Sequence, residues 1–157
     1  MKDVSNLNSL VRQCQAITEG EPDLIANLAN IAAVVFNGLE DINWAGFYLV
    51  KEQEKLVLGP FQGKVACVRI PFGQGVCGTA AAQKQLQHID DVHQFSGHIA
   101  CDAASNSEVV APIIVDQQVV AVLDIDSPST ARFSAQDAEI IAAIADVCAQ
   151  LDWHQLR

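Results

Sequence analysis

Basic residues are scarce in this chain. Nine lysines and arginines stand against nineteen aspartates and glutamates, a formal charge of −10 at pH 7. That balance works against a nucleic-acid backbone or an anionic membrane surface as a partner. Long apolar runs are missing too. Half the residues are hydrophobic, yet no stretch approaches the roughly 18 uninterrupted apolar residues of a membrane-spanning helix. The opening Met1-Lys2-Asp3-Val4-Ser5-Asn6 has neither the basic stretch nor the apolar run of a signal peptide. A cytoplasmic, soluble protein is expected. No C-x-x-C and no H-x-x-x-H spacing occurs, which disfavours zinc. No repeat, low-complexity tract or linker breaks the 157 residues, so a single domain spanning 1–157 is expected.

Against these absences, three of the five cysteines, Cys67, Cys77 and Cys101, crowd into residues 67–101. Each lies in a polar or glycine-punctuated context (Ala66-Cys67-Val68-Arg69, Gly75-Val76-Cys77-Gly78, Ala100-Cys101-Asp102), which predicts thiols within reach of solvent and substrate. An odd cysteine count in a reducing compartment argues for catalysis, metal or redox sensing over a structural disulfide framework.

Leu7, Leu10, Val11, Cys14 and Ile17 recur at helical spacing until Gly20 and Pro22 end the pattern, and a second helix opens with Pro22 and Asp23 and carries Leu24, Leu28, Ile31, Ala32, Val35 and Leu39. Cys14 on the first stripe and Cys148 on the last helix read as inert core. From Asn43 the period changes to two. Trp44 to Val50 and Leu56 to Leu58 form a hairpin around Lys51-Glu52-Gln53-Glu54, followed by a short strand over Val65–Ile70. Gly73-Gln74-Gly75-Val76-Cys77-Gly78 lacks the lysine of a phosphate-cradling loop and reads as a turn into a short helix. Residues 91–107 have no period and read as a long functional loop. A second hairpin, Glu108–Val115 and Val119–Asp126, turns at Asp116-Gln117-Gln118, and a last helix opens on a Ser134/Asp137 capping box and buries Ile141, Ile144, Cys148 and Leu151. This order does not alternate as βαβ units would. It predicts an α+β domain with N- and C-terminal helices packed on a mainly antiparallel sheet.

Asp124 and Asp126 are two apart and share a strand face with Val120 and Val122, while Leu123 and Ile125 face the other way. Two acids at a strand end are often only solvated, but Glu108 begins the partner strand. A three-residue loop sets Glu108 opposite Asp126, and a two-residue loop sets it opposite Ile125. Three carboxylates held together cannot all stay ionised, so a partly buried one becomes a general acid and the others can hold an ammonium group. Cys101, on the loop feeding these acids, is a candidate nucleophile, although neighbouring acids raise a thiol pKa. A second thiol in reach, Cys67 or Cys77, would trap a sulfenic acid before over-oxidation. His88, His93, His98 and His154 form no helical ligand pair and read as surface or structural histidines. Trp44, two residues before Gly46, can wall a pocket where glycine lets backbone or ligand approach.

The stretches Asp41-Ile42-Asn43-Trp44-Ala45-Gly46-Phe47-Tyr48, Leu58-Gly59-Pro60-Phe61-Gln62-Gly63-Lys64, Gly75-Val76-Cys77-Gly78-Thr79-Ala80, His98-Ile99-Ala100-Cys101-Asp102-Ala103-Ala104-Ser105-Asn106-Ser107-Glu108 and Val122-Leu123-Asp124-Ile125-Asp126-Ser127 resemble those of the free methionine-R-sulfoxide reductases, enzymes built on a GAF domain. The resemblance implies that Cys101 attacks the sulfoxide sulfur of free L-methionine-R-sulfoxide, that Cys67 resolves the sulfenic acid as a Cys67–Cys101 disulfide, and that Cys77 is an additional recycling thiol. It implies Glu108 and Asp126 as the acids that bind substrate and protonate its oxygen, Asp124 as the holder of the amino group, and Trp44 as a wall near the methyl group. It further implies thioredoxin as electron donor and no bound flavin, haem or metal; family members commonly dimerise. Two other readings compete. A GAF ligand-binding or redox-sensing module explains the thiols but leaves the three acids without a purpose. A zinc site of Cys67, Cys77, Cys101 and a histidine is permitted by ligand type and opposed by spacing.

Overall fold

The computed structural model describes residues 4–98 and 104–156. Two N-terminal helices, α1 (Val4–Thr18) and α2 (Leu24–Gly38), precede the strands β1 (Trp44–Glu52), β2 (Lys55–Gly63) and β3 (Arg69–Pro71). Helix α3 (Gly75–Gln83), strand β4 (Gln87–Ile89), strands β5 (Ser107–Val115) and β6 (Gln118–Ser127) and helix α4 (Ala135–Ala149) follow. The strands form one sheet in the order β3-β2-β1-β6-β5-β4, and every neighbouring pair is antiparallel. The expected α+β architecture is therefore present.

The period-two pattern divides the sheet into two apolar faces. Ala45, Phe47 and Leu49 of β1, Val109, Ala111 and Ile113 of β5, and Ala121, Leu123 and Ile125 of β6 pack with Leu24, Leu28 and Ile31 of α2 and with Ile141 and Ile144 of α4. Leu123 is fully buried there; truncating it to alanine costs about 2–5 kcal/mol. The opposite face gathers Trp44, Tyr48, Val110 and Val122 under Val76, Cys77, Ala80 and Ala81 of α3. This second, smaller core forms the floor of the site.

Local signals fix the helix ends. Asp23 is the N-cap of α2 and accepts from the Ala26 N–H, one step outside the first turn expected for it. The Ser134/Asp137 capping box is complete, and Asp137 also accepts from Arg132 at 3.0 Å. Ile17, expected on the buried stripe of α1, is half exposed because the helix ends at Thr18. The strand expected over Val65–Ile70 pairs only from Arg69, since residues 64–68 cross above the second face as a loop. Within the loop expected over 91–107, Val92 is fully buried at the start of a short 3-10 turn.

The second hairpin departs from expectation in an informative way. Val115 pairs with Gln118, so the loop has two residues, Asp116 and Gln117, both at positive φ (51° and 66°). These are the signs of a type I′ turn. Continued regularly, that turn sets Glu108 opposite Ile125. Instead Ile114 pairs with Val119 while Ile113 pairs with Ala121, leaving Val120 as the extra residue of a β-bulge. Beyond the bulge the register moves by one and Glu108 faces Asp126. The bulge also turns Val120 toward the helix-side core and Val119 toward the other, reversing the face expected for Val120.

Candidate active site

The second face opens into a cavity of about 550 Å³, its open mouth included. Its walls come from β1 (Trp44, Tyr48), the loop after β2 (Val65, Ala66), the start of α3 (Gln74, Gly75, Val76, Cys77), the segment before β5 (His98, Ser105) and the three acids Glu108, Asp124 and Asp126. The hairpin pairing explains the convergence of the acids. Glu108 lies opposite Asp126, Val110 opposite Asp124, and directly paired residues share a face. On the other side β6 pairs with β1, which sets Trp44 opposite Asp126 and Gly46 opposite Asp124.

Glu108 is 8 % exposed and Asp124 5 %. Burial first, and then the charge of Asp124, pushes the Glu108 carboxyl well above the usual carboxylate range. Burial and then Asp126 do the same to Asp124. Cys77 donates its thiol to Asp124 Oδ2 at 3.3 Å, and the Asp124 carboxyl also meets the side chains of Glu108 and Asp126. The burial that raises both proton affinities suits one of these acids to proton donation.

Of the clustered cysteines, Cys101 lies outside the described residues. Cys67, half-buried on the 64–68 loop, is disulfide-bonded. Cys77 is a free thiol and, against expectation, only 5 % exposed. Its flanking glycines serve the tight entry of α3, since a Cβ on Gly78 would lie 2.4 Å from the Pro71 carbonyl oxygen. Burial and then Asp124 drive its pKa well up. Cys14 and Cys148 are free, fully buried core residues as expected, and burial raises the Cys14 thiol to about 11. Among the described residues, Cys77, Glu108 and Asp124 place ligand atoms within 4.8 Å of one another, the one grouping suited to a metal ion. Of the zinc set considered from sequence, Cys67 is in a disulfide and offers no thiolate, and Cys101 lies outside the described residues.

Trp44 lines the cavity from within the smaller core, and the space above Gly46 admits protein rather than ligand. A Cβ on Gly46 would lie 2.2 Å from Phe61 Cβ and 2.9 Å from the Trp44 ring. Trp44 accordingly stacks on Phe61 at 5.1 Å and on Tyr48 at 5.9 Å. Sequence reasoning assigns no part in the site to several of the wall residues, Tyr48 and His98 among them. Tyr48 reads there only as part of an alternating strand. His98 reads as a surface or structural histidine, yet it lines the cavity, and burial, then His93, lowers its pKa. The other histidines fit that reading where contacts define it. His88 Nε2 meets the Phe133 carbonyl at 2.7 Å, and His93 Nε2 meets Asn106 Oδ1 at 3.0 Å.

A six-stranded antiparallel sheet with helices on one face and a small-molecule cavity under a short helix on the other is the arrangement of a GAF domain, and the GAF domain family matches residues 15–151. The chain is 54 % identical over 148 residues to the free methionine-R-sulfoxide reductase of Escherichia coli, covering 92 % of this chain and 89 % of that protein. The reduced form of fRMsr from Staphylococcus aureus superposes with a TM-score of 0.88 at 49 % identity, covering 97 % of this chain and 96 % of that one. The free methionine-R-sulfoxide reductase from Neisseria meningitidis, solved in complex with its substrate, superposes with a TM-score of 0.90 at 40 % identity, covering 95 % and 90 %. The chain belongs to the free methionine-R-sulfoxide reductase family of GAF-domain enzymes.

Proposed function

We propose that the protein reduces free L-methionine-R-sulfoxide to L-methionine through its own cysteines and is recycled by thioredoxin in the cytoplasm. The observation that carries this reading is the meeting of Glu108, Asp124 and Asp126 in one cavity, the first two of them buried. Such an excess of acidic groups is matched by an ammonium group, which free methionine sulfoxide has and a peptide-bound residue lacks. The substrate carboxylate would meet the start of α3, where Gln74 provides no side-chain cap for the first N–H groups. The methyl group would lie against Trp44.

Sulfoxide sulfur is a poor electrophile until its oxygen is protonated. Glu108, held neutral by burial, and Asp126 opposite it supply the proton as the Cys101 thiolate attacks sulfur. The attack gives an adduct in which Cys101 sulfur is bonded to the substrate sulfur; the protonated oxygen then shifts to the Cys101 sulfur as the sulfur–sulfur bond and the substrate's sulfur–oxygen bond break, so that methionine leaves and Cys101 is a sulfenic acid. The Cys67 thiol then displaces that oxygen as water and closes the Cys67–Cys101 disulfide. Two electrons and two protons from a thioredoxin dithiol reopen it. The disulfide-bonded state of Cys67, beside free thiols at Cys14, Cys77 and Cys148, supports this assignment. Cys77, hydrogen-bonded to Asp124, becomes a recycling thiol only if the site opens around it.

Thioredoxin-coupled NADPH consumption tests the reading, with free L-methionine-R-sulfoxide, its S epimer and the N-acetylated R substrate in parallel. Turnover confined to the free R epimer is expected. Folded, reduced protein that turns over none of them overturns the activity. Cys101→Ser should abolish the first reduction, whereas Cys67→Ser should yield about one methionine per protein and then stall.

A further inference from the structure

The 64–68 loop carries Cys67. It has no regular structure, and its Val65 and Val68 side chains are 88 % and 53 % exposed. Its backbone carbonyls, however, are tied at three points. Trp44 Nε1 donates to the Lys64 carbonyl at 3.1 Å, the Leu58 N–H donates to the Val68 carbonyl at 2.8 Å, and Tyr48 Oη donates to the carbonyl of Cys67 itself at 3.0 Å. Tyr48 is 2 % exposed in the middle of β1 and stacks on Trp44, which stacks on Phe61. Burial and then the charge of Asp124 keep its phenol protonated, so it remains a donor throughout the working pH range.

We propose that Tyr48 is a positioning residue for the disulfide chemistry of Cys67. By holding the Cys67 carbonyl it fixes the peptide plane from which the thiol projects, and so raises the effective concentration of that thiol at its partner. This rests on the reading of Cys67 as the resolving thiol only for its catalytic consequence; the tether is defined by the hydrogen bond alone. Trp44, which anchors the loop three residues earlier, plays the lesser part, and because it also walls the cavity it links substrate pocket and resolving loop.

The test is a thiol–disulfide equilibrium without sulfoxide. Reduced protein is equilibrated with mixtures of oxidised and reduced dithiothreitol; each exchange moves two electrons and two protons from the protein thiols to the oxidised dithiothreitol. After quenching with an alkylating agent, the disulfide fraction at Cys67 is read by peptide mass spectrometry. Tyr48→Phe keeps the ring and removes only the hydroxyl. It should weaken the disulfide equilibrium about three- to tenfold, the reach of one lost hydrogen bond, while the circular dichroism of the reduced protein stays unchanged. Trp44→Phe should shift it less. An equilibrium unmoved or strengthened in Tyr48→Phe overturns the proposal. A shifted equilibrium in a protein that turns over no sulfoxide upholds the tether and overturns the activity instead.

Discussion

Glu108 stands directly opposite Asp126 because Val120 is bulged out of the β5–β6 ladder. The two-residue turn at Asp116 and Gln117 would otherwise pair Glu108 with Ile125, and paired residues share a face. Glu108 would then point into the helix-side core while Asp124 and Asp126 pointed away from it. One extra residue brings the three acids onto a single face, and the raised proton affinity of Glu108 follows from that placement.

Glu108→Gln is expected to lower turnover at least about 100-fold, the usual worth of a positioned acid. Stability should move the other way, in a defined pH window. A glutamate free in water titrates near 4.5, and in the fold Glu108 titrates well above that. At more acid pH both states hold the proton and burial adds no charge penalty. As pH rises past about 4.5, the folded state keeps a proton that the unfolded chain has released, so native stability declines until the folded group ionises. Glutamine has no such decline. The thermal midpoint of Glu108→Gln should therefore exceed that of the parent by a margin that is small near pH 4 and grows toward neutral pH; a constant margin would show that Glu108 is not held protonated.

Asp124→Asn tests the amino-group pocket. Losing one charge-assisted hydrogen bond, about 1.5–3 kcal/mol, should raise KM for the free sulfoxide about ten- to 150-fold. An N-acetylated methionine sulfoxide has no ammonium to lose, so its inhibition constant against turnover of the free sulfoxide should change far less. Equal losses for the two compounds would remove Asp124 from amino-group recognition.

The parts of this fold that repeat were legible in the residues. Periods near 3.6 and 2 found α1, α2, α4 and both hairpins, because each buries one face against a continuous core. What escaped was non-periodic. The bulge at Val120 lies in a run of β-branched and small residues, Val119-Val120-Ala121-Val122, where either face accepts any of them. Strand β4, Gln87-His88-Ile89, is three residues long and takes its pairing from Val110, Val109 and Glu108 rather than from its own pattern. The glycine-punctuated context of Cys77 suggested a thiol within reach of solvent, whereas Gly78 is there so that α3 can press against the Pro71 carbonyl. Tyr48 and His98 acquire their positions in the cavity only through tertiary packing.

Cys77 should behave as a buried thiol. In the folded, reduced protein its alkylation by iodoacetamide at pH 7.5 should be at least about tenfold slower than that of a free cysteine, because the reactive thiolate is disfavoured by burial and by Asp124. Asp124→Asn removes the acidic neighbour and should speed that alkylation severalfold, read by mass spectrometry of the peptide containing Cys77. Fast alkylation in the parent would place Cys77 at the surface and return it to the role of an accessible recycling thiol.

Gln117 carries a conformation that suits glycine. At φ 66° in the second position of a type I′ turn, a glutamine pays for a left-handed backbone that glycine adopts freely. Gln117→Gly also adds freedom to the unfolded chain, so the net gain is modest, about 0.5–1 kcal/mol or roughly 1–4 °C in Tm. The Lys84 ammonium donates to the Gln117 backbone carbonyl, a bond that glycine preserves. The turn lies at the far end of β5 from Glu108, about 25 Å away along an extended strand. Turnover should therefore be unchanged. A substitution that stabilises the hairpin yet abolishes activity would show that the register at Glu108 is set from the turn, and not held by the bulge at Val120.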